Sequence, residues 1–357
     1  MDLNNKSVLI IKPSSMGDII HSLPLVHALK RHYPSCHVGW VVQKSLVSLL
    51  EADPNIDRIF PIDIPSTSEP SATVRTYVSA LSKTVTCLKW LRSKFVDNPY
   101  DLVLDLHASF RSGLIGSMNP GGVRLGFAEA KELNTFFQSK VIHCAPNSLH
   151  AVDKNLNFAK YLQINVEAID FELFLGRDAE IEASTFLEQS GASLRNRLVY
   201  ANPATRWATK FWNERAWAEL ADKLILELNS IVILAGASAE LHYVHRIVSL
   251  MSQEPIIGAG RLSPIGAAAL IGASDVYVGV DSGPMHMAAL LGKPVVALFG
   301  PTDPAKVGPY GYGHSIIRVE SLSCLGCRKS VCNDKCCMNG ISAGRVFEEI
   351  KRLMNWT

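Results

Sequence analysis

Residues 276–309, VYVGVDSGPMHMAALLGKPVVALFGPTDPAKVGP, constrain this chain more than any other stretch. A short apolar run (276–280) meets a tight polar corner, a compact helical pattern and a second apolar run (294–299), which is the order strand, helix, strand. Gly283 tolerates unusual backbone angles at the corner, Pro284 suits the first helical turn, and Ser282 is placed to cap the amides that follow. Gly292 stops the helix. A helix opened in this way turns free N–H groups and the positive end of its dipole outward, where an anion such as a diphosphate can dock. Asp281, Ser282, Gly283 and His286 lie at or within one turn of that mouth and form the first candidate ligand site.

A blander reading of the corner is an ordinary unit of a parallel sheet, polar because corners are exposed. The letters DSGP also match the nucleophile loop of secreted serine proteases. Here they join a buried strand to a helix, and the amino terminus passes from a short apolar run into a polar loop, which is not a secretory signal. The chain has 357 residues, enough for two domains, and its 35 Lys and Arg nearly balance 33 Asp and Glu. Global charge therefore does not argue for nucleic acid. No apolar run approaches the roughly 18–20 residues that span a bilayer, so the expected place is the cytosol, with contact at a membrane surface. Of eight cysteines, five crowd between Cys324 and Cys337. In a reducing compartment that pattern reads as free thiols in a structural tail or as a metal site. The spacing C-x2-C-x4-C-x3-C, with Cys337 adjacent and no histidine inside, differs from common zinc ribbons, and free thiols are the expectation.

The rest of the chain repeats the alternation. Residues 7–12 form a strand, 13–17 a loop, and a helix runs to about 32, with Pro24 bending it so that the regular part begins near Leu23. Asp18 is either a first-turn carboxylate favoured by the helix dipole or a catalytic group at the carboxyl edge of the strand, where α/β sheets bind ligands. Residues 38–42 read as a second strand, 51–62 as a turn and short strand, 66–71 as a surface loop, and 75–95 as a long basic helix that is either a solvated face or a surface for anionic lipid. A strand at 101–106 runs into the helical segment that holds Arg111. A second half begins at 198–201, and its loop 202–211 holds Thr205, Arg206 and Lys210. Asn213 reads as an N-cap, with Trp212 and Trp217 as a hydrophobic staple. Lys210 stands before a helix start, where it opposes the dipole unless an anion offsets it, and this marks it as a ligand candidate. Glu240 follows the next strand. Residues 258–263, GAGRLS, have the wrong order for a dinucleotide fingerprint, because Ser263 and Pro264 already open a helix. Alternation of this kind, twice over, implies an α/β protein of two Rossmann-like domains facing a central cleft, the arrangement called GT-B.

The segment 279–311, GVDSGPMHMAALLGKPVVALFGPTDPAKVGPYG, resembles the donor-site signature of glycosyltransferase family 9, the lipopolysaccharide heptosyltransferases. KPSSMGDIIHSLP at 12–24 resembles the first motif of the same family. The resemblance covers most of the chain, is strongest over 201–313 and 12–24, and is weak between about 60 and 100. It implies an acceptor-binding domain at 1–175, a donor-binding domain at 176–342, and a closing helix at 343–357 that packs back on the first domain. It also implies inverting transfer of heptose from ADP-heptose to the Kdo-lipid A core, at the cytosolic face of the inner membrane. In that scheme Asp18 is the base and Lys210 meets the charge of the departing diphosphate. Thr205, Arg206, Glu240, Asp281, Ser282, Gly283 and His286 hold the donor, Glu240 near its nucleoside, while Arg111 and Arg124 hold the acceptor. Family members commonly carry Gln where this chain has His107. The scheme needs neither metal nor cofactor, the chain has no Asp-x-Asp pair, and no nucleic acid partner is expected. Two other classes fit parts of the pattern: a sugar-nucleotide epimerase or hydrolase of the same fold, or a family member with another donor sugar, and a metal-stabilised nucleic-acid module built on the cysteine cluster.

Overall fold

Near-continuous apolar runs make the strands, as expected where helices cover both faces of a parallel sheet. The computed structural model describes residues 1–65, 73–192 and 197–356, so the loop expected at 66–71 lies outside the described residues. The chain divides into two units, Met1–Phe174 and Leu175–Thr357. In the first, β1 (Ser7–Ile11), β2 (His37–Gln43), β3 (Arg58–Ile62), β4 (Leu102–Asp105), β5 (Val123–Phe127) and β6 (Lys140–Ile142) form one six-stranded sheet in the order β3-β2-β1-β4-β5-β6. In the second, β7 (Arg197–Asn202), β8 (Ser230–Leu234), β9 (Ile256–Ile257), β10 (Val276–Val280), β11 (Val295–Leu298) and β12 (His314–Ile317) form another, in the order β12-β11-β10-β7-β8-β9. Every pairing is parallel. Counted from its own first strand, each sheet has the same doubly wound order, so each unit is Rossmann-like.

Local signals act as the chain pattern implies. Pro24 sits in the first turn of a new helix, Leu23–His32, and the preceding residues form a separate short helix, Met16–Ile20. Asn213 caps the helix Glu214–Leu228 by accepting from Arg215 N–H at 2.8 Å, and the rings of Trp212 and Trp217 meet edge to face at 5.0 Å. Ser263 caps Pro264–Ala273 by accepting from Gly266 N–H at 3.0 Å, which excludes a dinucleotide turn there. The long helix spans Val74–Asp97. Among the described residues no helix is long and apolar enough to cross a membrane.

The closing helix, expected to pack back on the first domain, is Ala343–Met354, and its Val346, Phe347 and Ile350 are buried in the core of the second unit with Trp217 and Leu224. Its apolar residues share one face, and the face of Glu214–Leu228 that carries Trp217, Leu220 and Leu224 covers them within the same unit. Phe347→Ala is therefore expected to cost the second unit about 3–5 kcal/mol, the usual result of emptying a buried aromatic site. Guanidinium denaturation reads this directly, and an unchanged midpoint would mean that the helix is not part of that core.

Candidate active site

In a doubly wound sheet the chain leaves the first strand toward one edge and the fourth toward the other, so the loops after these two strands part and open a crevice at their carboxyl ends. That switch point lies between β1 and β4 in the first unit and between β7 and β10 in the second. Asp18 follows β1, and His107 and Arg111 follow β4. Thr205, Arg206 and Lys210 follow β7, and Asp281, Ser282, Gly283 and His286 follow β10. Most of the residues singled out in the sequence are thus gathered at one switch point or the other.

In the first unit, Lys12 is buried immediately after β1. Its Nζ donates to the carbonyl of Leu106 at 2.7 Å, tying the end of β1 to the loop after β4, and lies 3.5 Å from Asp18 Oδ1. Asp18 Oδ2 accepts from the backbone N–H and the hydroxyl of Ser15 at 2.9 and 2.6 Å. The carboxylate thus reaches back to the cap residue of its own helix, as a capping box does. Burial pushes the Asp18 carboxyl up, but the Lys12 ammonium and the two Ser15 hydrogen bonds outweigh it and hold the group well below the usual carboxylate range. Asp18 nevertheless keeps 44% of its side chain exposed, so an incoming molecule can reach it.

The loop after β4 is held by Asp105, which is almost fully buried. Its Oδ1 accepts from the backbone N–H groups of His107 and Ala108, both at 3.1 Å, and its Oδ2 from Ser112 Oγ at 2.9 Å, Asn134 Nδ2 at 2.7 Å and Gln138 Nε2 at 3.1 Å. Ala108 takes a positive φ of 58° beside it. This arrangement sets the imidazole of His107 among Lys12, Asp18, Asp105 and the backbone of Ser14. Burial and then the Lys12 charge lower the His107 pKa, against the opposing pull of Asp18 and Asp105, so the ring is neutral at physiological pH. His107, where the resemblance leads one to expect Gln, thus lies beside Asp18 as a neutral polar group. Its place was not legible in the sequence, because nothing local links residue 107 to residues 12–18.

The two candidate arginines are separated in level. Arg111 lies in the first turn of Phe110–Ser117, at the carboxyl edge. Arg124 stands on β5 opposite Val103, three residues short of the carboxyl end of its strand at Phe127, and its Nε donates to the Phe137 carbonyl at 2.7 Å.

In the second unit, Lys210 Nζ lies 2.7 Å from Asp281 Oδ2, with both side chains largely buried, and 5.0 Å from the centre of the Trp207 ring. The anion that offsets Lys210 in the structure is therefore a protein carboxylate. Ser282 does not cap the helix Gly283–Leu290 with its side chain. Its hydroxyl instead accepts from Asn202 Nδ2 at 3.1 Å and lies 3.3 Å from the Tyr277 hydroxyl, so the ends of β7 and β10 are cross-linked at the switch point. Tyr277 stacks on Tyr200 with centroids 5.8 Å apart, and its hydroxyl occupies the space a Cβ on Gly279 would need, 2.5 Å away. Glycine is required there. His286 is buried within the first turn of the same helix. Half-buried Glu240 follows β8, accepts from Ala237 N–H at 2.8 Å, and is pushed up by burial. Thr205 is half-buried, and Arg206 is exposed.

All eight cysteines are free thiols. Cys336 shares a hydrogen bond with Cys324, and Cys337 lies beside both and Cys327. The loop is pinned to the end of β11 by Gly326 N–H to Gly300 O at 3.0 Å and Arg328 N–H to Pro301 O at 2.7 Å, and Thr209 Oγ1 donates to Lys329 O at 2.9 Å. Among the described residues no group of three or more His, Cys, Asp or Glu side chains is arranged to hold a metal ion.

Residues 89–338 match the family model described as glycosyltransferase family 9 (heptosyltransferase). The chain is 28% identical over 337 residues to lipopolysaccharide heptosyltransferase 1 of Pseudomonas aeruginosa, covering 91% of this chain and 87% of that protein. Among solved structures, a glycosyl transferase family 9 protein from Veillonella parvula superposes with a TM-score of 0.83 at 21% identity over 99% of both chains. The E. coli heptosyltransferase WaaC with ADP superposes with a TM-score of 0.74 at 23% identity over 97% of this chain and 99% of that one. The shared fold is GT-B, two Rossmann-like domains.

The Lys12–Asp18 pair makes a prediction of its own. A carboxyl whose folded pKa is depressed adds stability above its ordinary value of 3.8, and that stability is lost as pH falls through the folded value. Solvent at the exposed part of Asp18 screens the pair and keeps the contribution small. In Lys12→Met burial still disfavours the ionised carboxyl while the cation is gone, so a carbon NMR titration of Asp18 should show its midpoint rising. An unmoved midpoint would show that the Lys12 ammonium does not hold the charge, leaving Ser15 and His21 to do so.

Proposed function

This chain belongs to glycosyltransferase family 9, the heptosyltransferases, and on that premise we propose that it transfers heptose from ADP-heptose to the Kdo-lipid A inner core of lipopolysaccharide, with inversion at the anomeric carbon. The observation that carries the reading is the Lys210–Asp281 pair beside the mouth of Gly283–Leu290, at the switch point of the second sheet. A leaving diphosphate gains charge as the glycosidic bond breaks, and a preoriented lysine with free amides at a helix mouth stabilises that charge without needing to reorganise. Asp281 holds Lys210 in place before the donor arrives, and the donor phosphates then share the ammonium with it. Thr205, Arg206, Ser282, Gly283 and His286 complete the diphosphate side, and Glu240 takes the nucleoside. No metal enters this reading.

On the acceptor side Asp18 receives the proton of the attacking hydroxyl. A strongly acidic carboxyl is a weak base, but the hydroxyl becomes acidic as its oxygen bonds to the anomeric carbon, so an ionised carboxylate in reach suffices late in the step. Lys12 and Ser15 keep that carboxylate ionised and aimed. Arg111, and Arg124 through the guanidinium nitrogens not engaged by Phe137, face the anionic sugar acid or phosphates of the acceptor, for which a forked donor suits. The enzyme works at the cytosolic face of the inner membrane, where a lipid acceptor is presented.

Mass spectrometry of products from purified protein, ADP-heptose and Kdo-lipid A tests the reading: one added heptose is expected. Donor turnover without acceptor would point instead to an epimerase or hydrolase. Asp18→Asn keeps the shape and capping capacity of the side chain, and is expected to fold, to bind ADP and to lose about 100- to 10,000-fold in turnover. Near-normal turnover would leave Asp18 as a helix cap. Lys210→Ala alone strands buried Asp281, at about 3–5 kcal/mol of stability, so the informative protein is Lys210→Met with Asp281→Asn. Calorimetry with ADP should show weakened binding by a folded protein, and unchanged affinity would remove Lys210 from the donor site.

A further inference from the structure

The helix Val74–Asp97 carries an apolar stripe that stands largely exposed among the described residues. Its inner face buries Ala80, Thr84, Leu91 and Phe95 against the first sheet's core. On a different face Val74, Tyr77, Val78, Leu81 and Val85 fall at i, i+3, i+4, i+7 and i+11, so they line up along one side. They are 79%, 54%, 64%, 68% and 45% exposed. Single exposed apolar residues are ordinary, but five in one row are not. The same helix holds Arg75, Lys83, Lys89, Arg92 and Lys94 and no acid before Asp97, its final residue, in a chain whose total charge is only +2. Lys83 is paired with Asp63 at 2.6 Å, and Arg92 donates to the Met118 carbonyl at 3.3 Å. Arg75 and Lys89 are exposed beside the stripe.

We propose that this stripe, with Arg75 and Lys89 at its flank, is a docking surface for a bilayer that contains anionic lipid. A helix that offers apolar side chains along one line and cations beside it lies in the plane of the interface, its apolar row among the acyl chains and its cations at the headgroups. Charge selects the occupant: the helix has no acidic residue before Asp97, the neighbouring Asp63 is already paired with Lys83, and the cations left over complement anionic headgroups. The proposal rests on the functional reading only in so far as a lipid acceptor gives such docking a use.

The test is co-sedimentation of the full chain with vesicles of phosphatidylcholine alone and of phosphatidylcholine mixed with phosphatidylglycerol. Binding is expected to the mixed vesicles, and Arg75→Glu with Lys89→Glu should weaken it by about fivefold or more for each cation replaced. Val78→Asp with Leu81→Asp, at exposed positions that leave the buried face intact, should abolish it. Absence of binding to either vesicle, binding indifferent to phosphatidylglycerol, or binding unaffected by the two aspartates would overturn the proposal. So would stripe-dependent self-association in sedimentation velocity without vesicles, which would assign the surface to a second copy of the chain. Transfer to a deacylated, water-soluble acceptor separates the two readings. Loss of vesicle binding with that transfer retained ties the stripe to the membrane, whereas vesicle binding without any heptose transfer would sink the functional reading and leave the surface standing.

Discussion

A charge withdrawn from water must be paired, and in both units this requirement is met at the carboxyl edge of the sheet by a lysine and an aspartate: Lys12 with Asp18 and Lys210 with Asp281. Parallel strands bury their middles completely and release polar groups only where they end, so reactive side chains collect there. Each pair also joins segments that the fold must hold together. Lys12 binds the Leu106 carbonyl as well as Asp18, and Lys210 joins the loop after β7 to the end of β10.

Behind these pairs stand hydrogen-bond networks that fix where the loops go. Asp105 collects donors from His107, Ala108, Ser112, Asn134 and Gln138, and it thereby places an imidazole next to Asp18. In the second unit Asn202, Ser282 and Tyr277 do similar work without a charge. The first arrangement keeps an ionised carboxylate accessible, while the second keeps a helix mouth next to an ammonium. The proposed transfer of a sugar from a diphosphate to a hydroxyl draws on both arrangements, one on each unit.

Several features were legible because their causes are local. Trp212, Asn213 and Trp217 announce a capped and stapled helix within six residues, Ser263 and Pro264 open another, and Pro24 divides a third. Ser282 shows the limit of such reasoning. Its position suits a cap, yet its hydroxyl is engaged by Asn202, eighty residues away in sequence, because the two strands that carry them are neighbours in the sheet. The closing helix shows the same limit: its presence was legible in the sequence, but which surface would cover it was not.

The sequence by itself determined the alternation of strand and helix, the duplication of that pattern, and the polar corners after the first and fourth strand of each half, because each follows from apolar periodicity and turn chemistry within a few residues. It also marked Lys210 as a cation in need of an anion. Only the tertiary structure decided that Asp281 is that anion, that His107 stands beside Asp18, and that five apolar side chains of Val74–Asp97 stand largely exposed among the described residues. These depend on which strands become neighbours and which faces the core consumes. Parallel pairing brings together residues that the chain keeps far apart, and no local pattern records it.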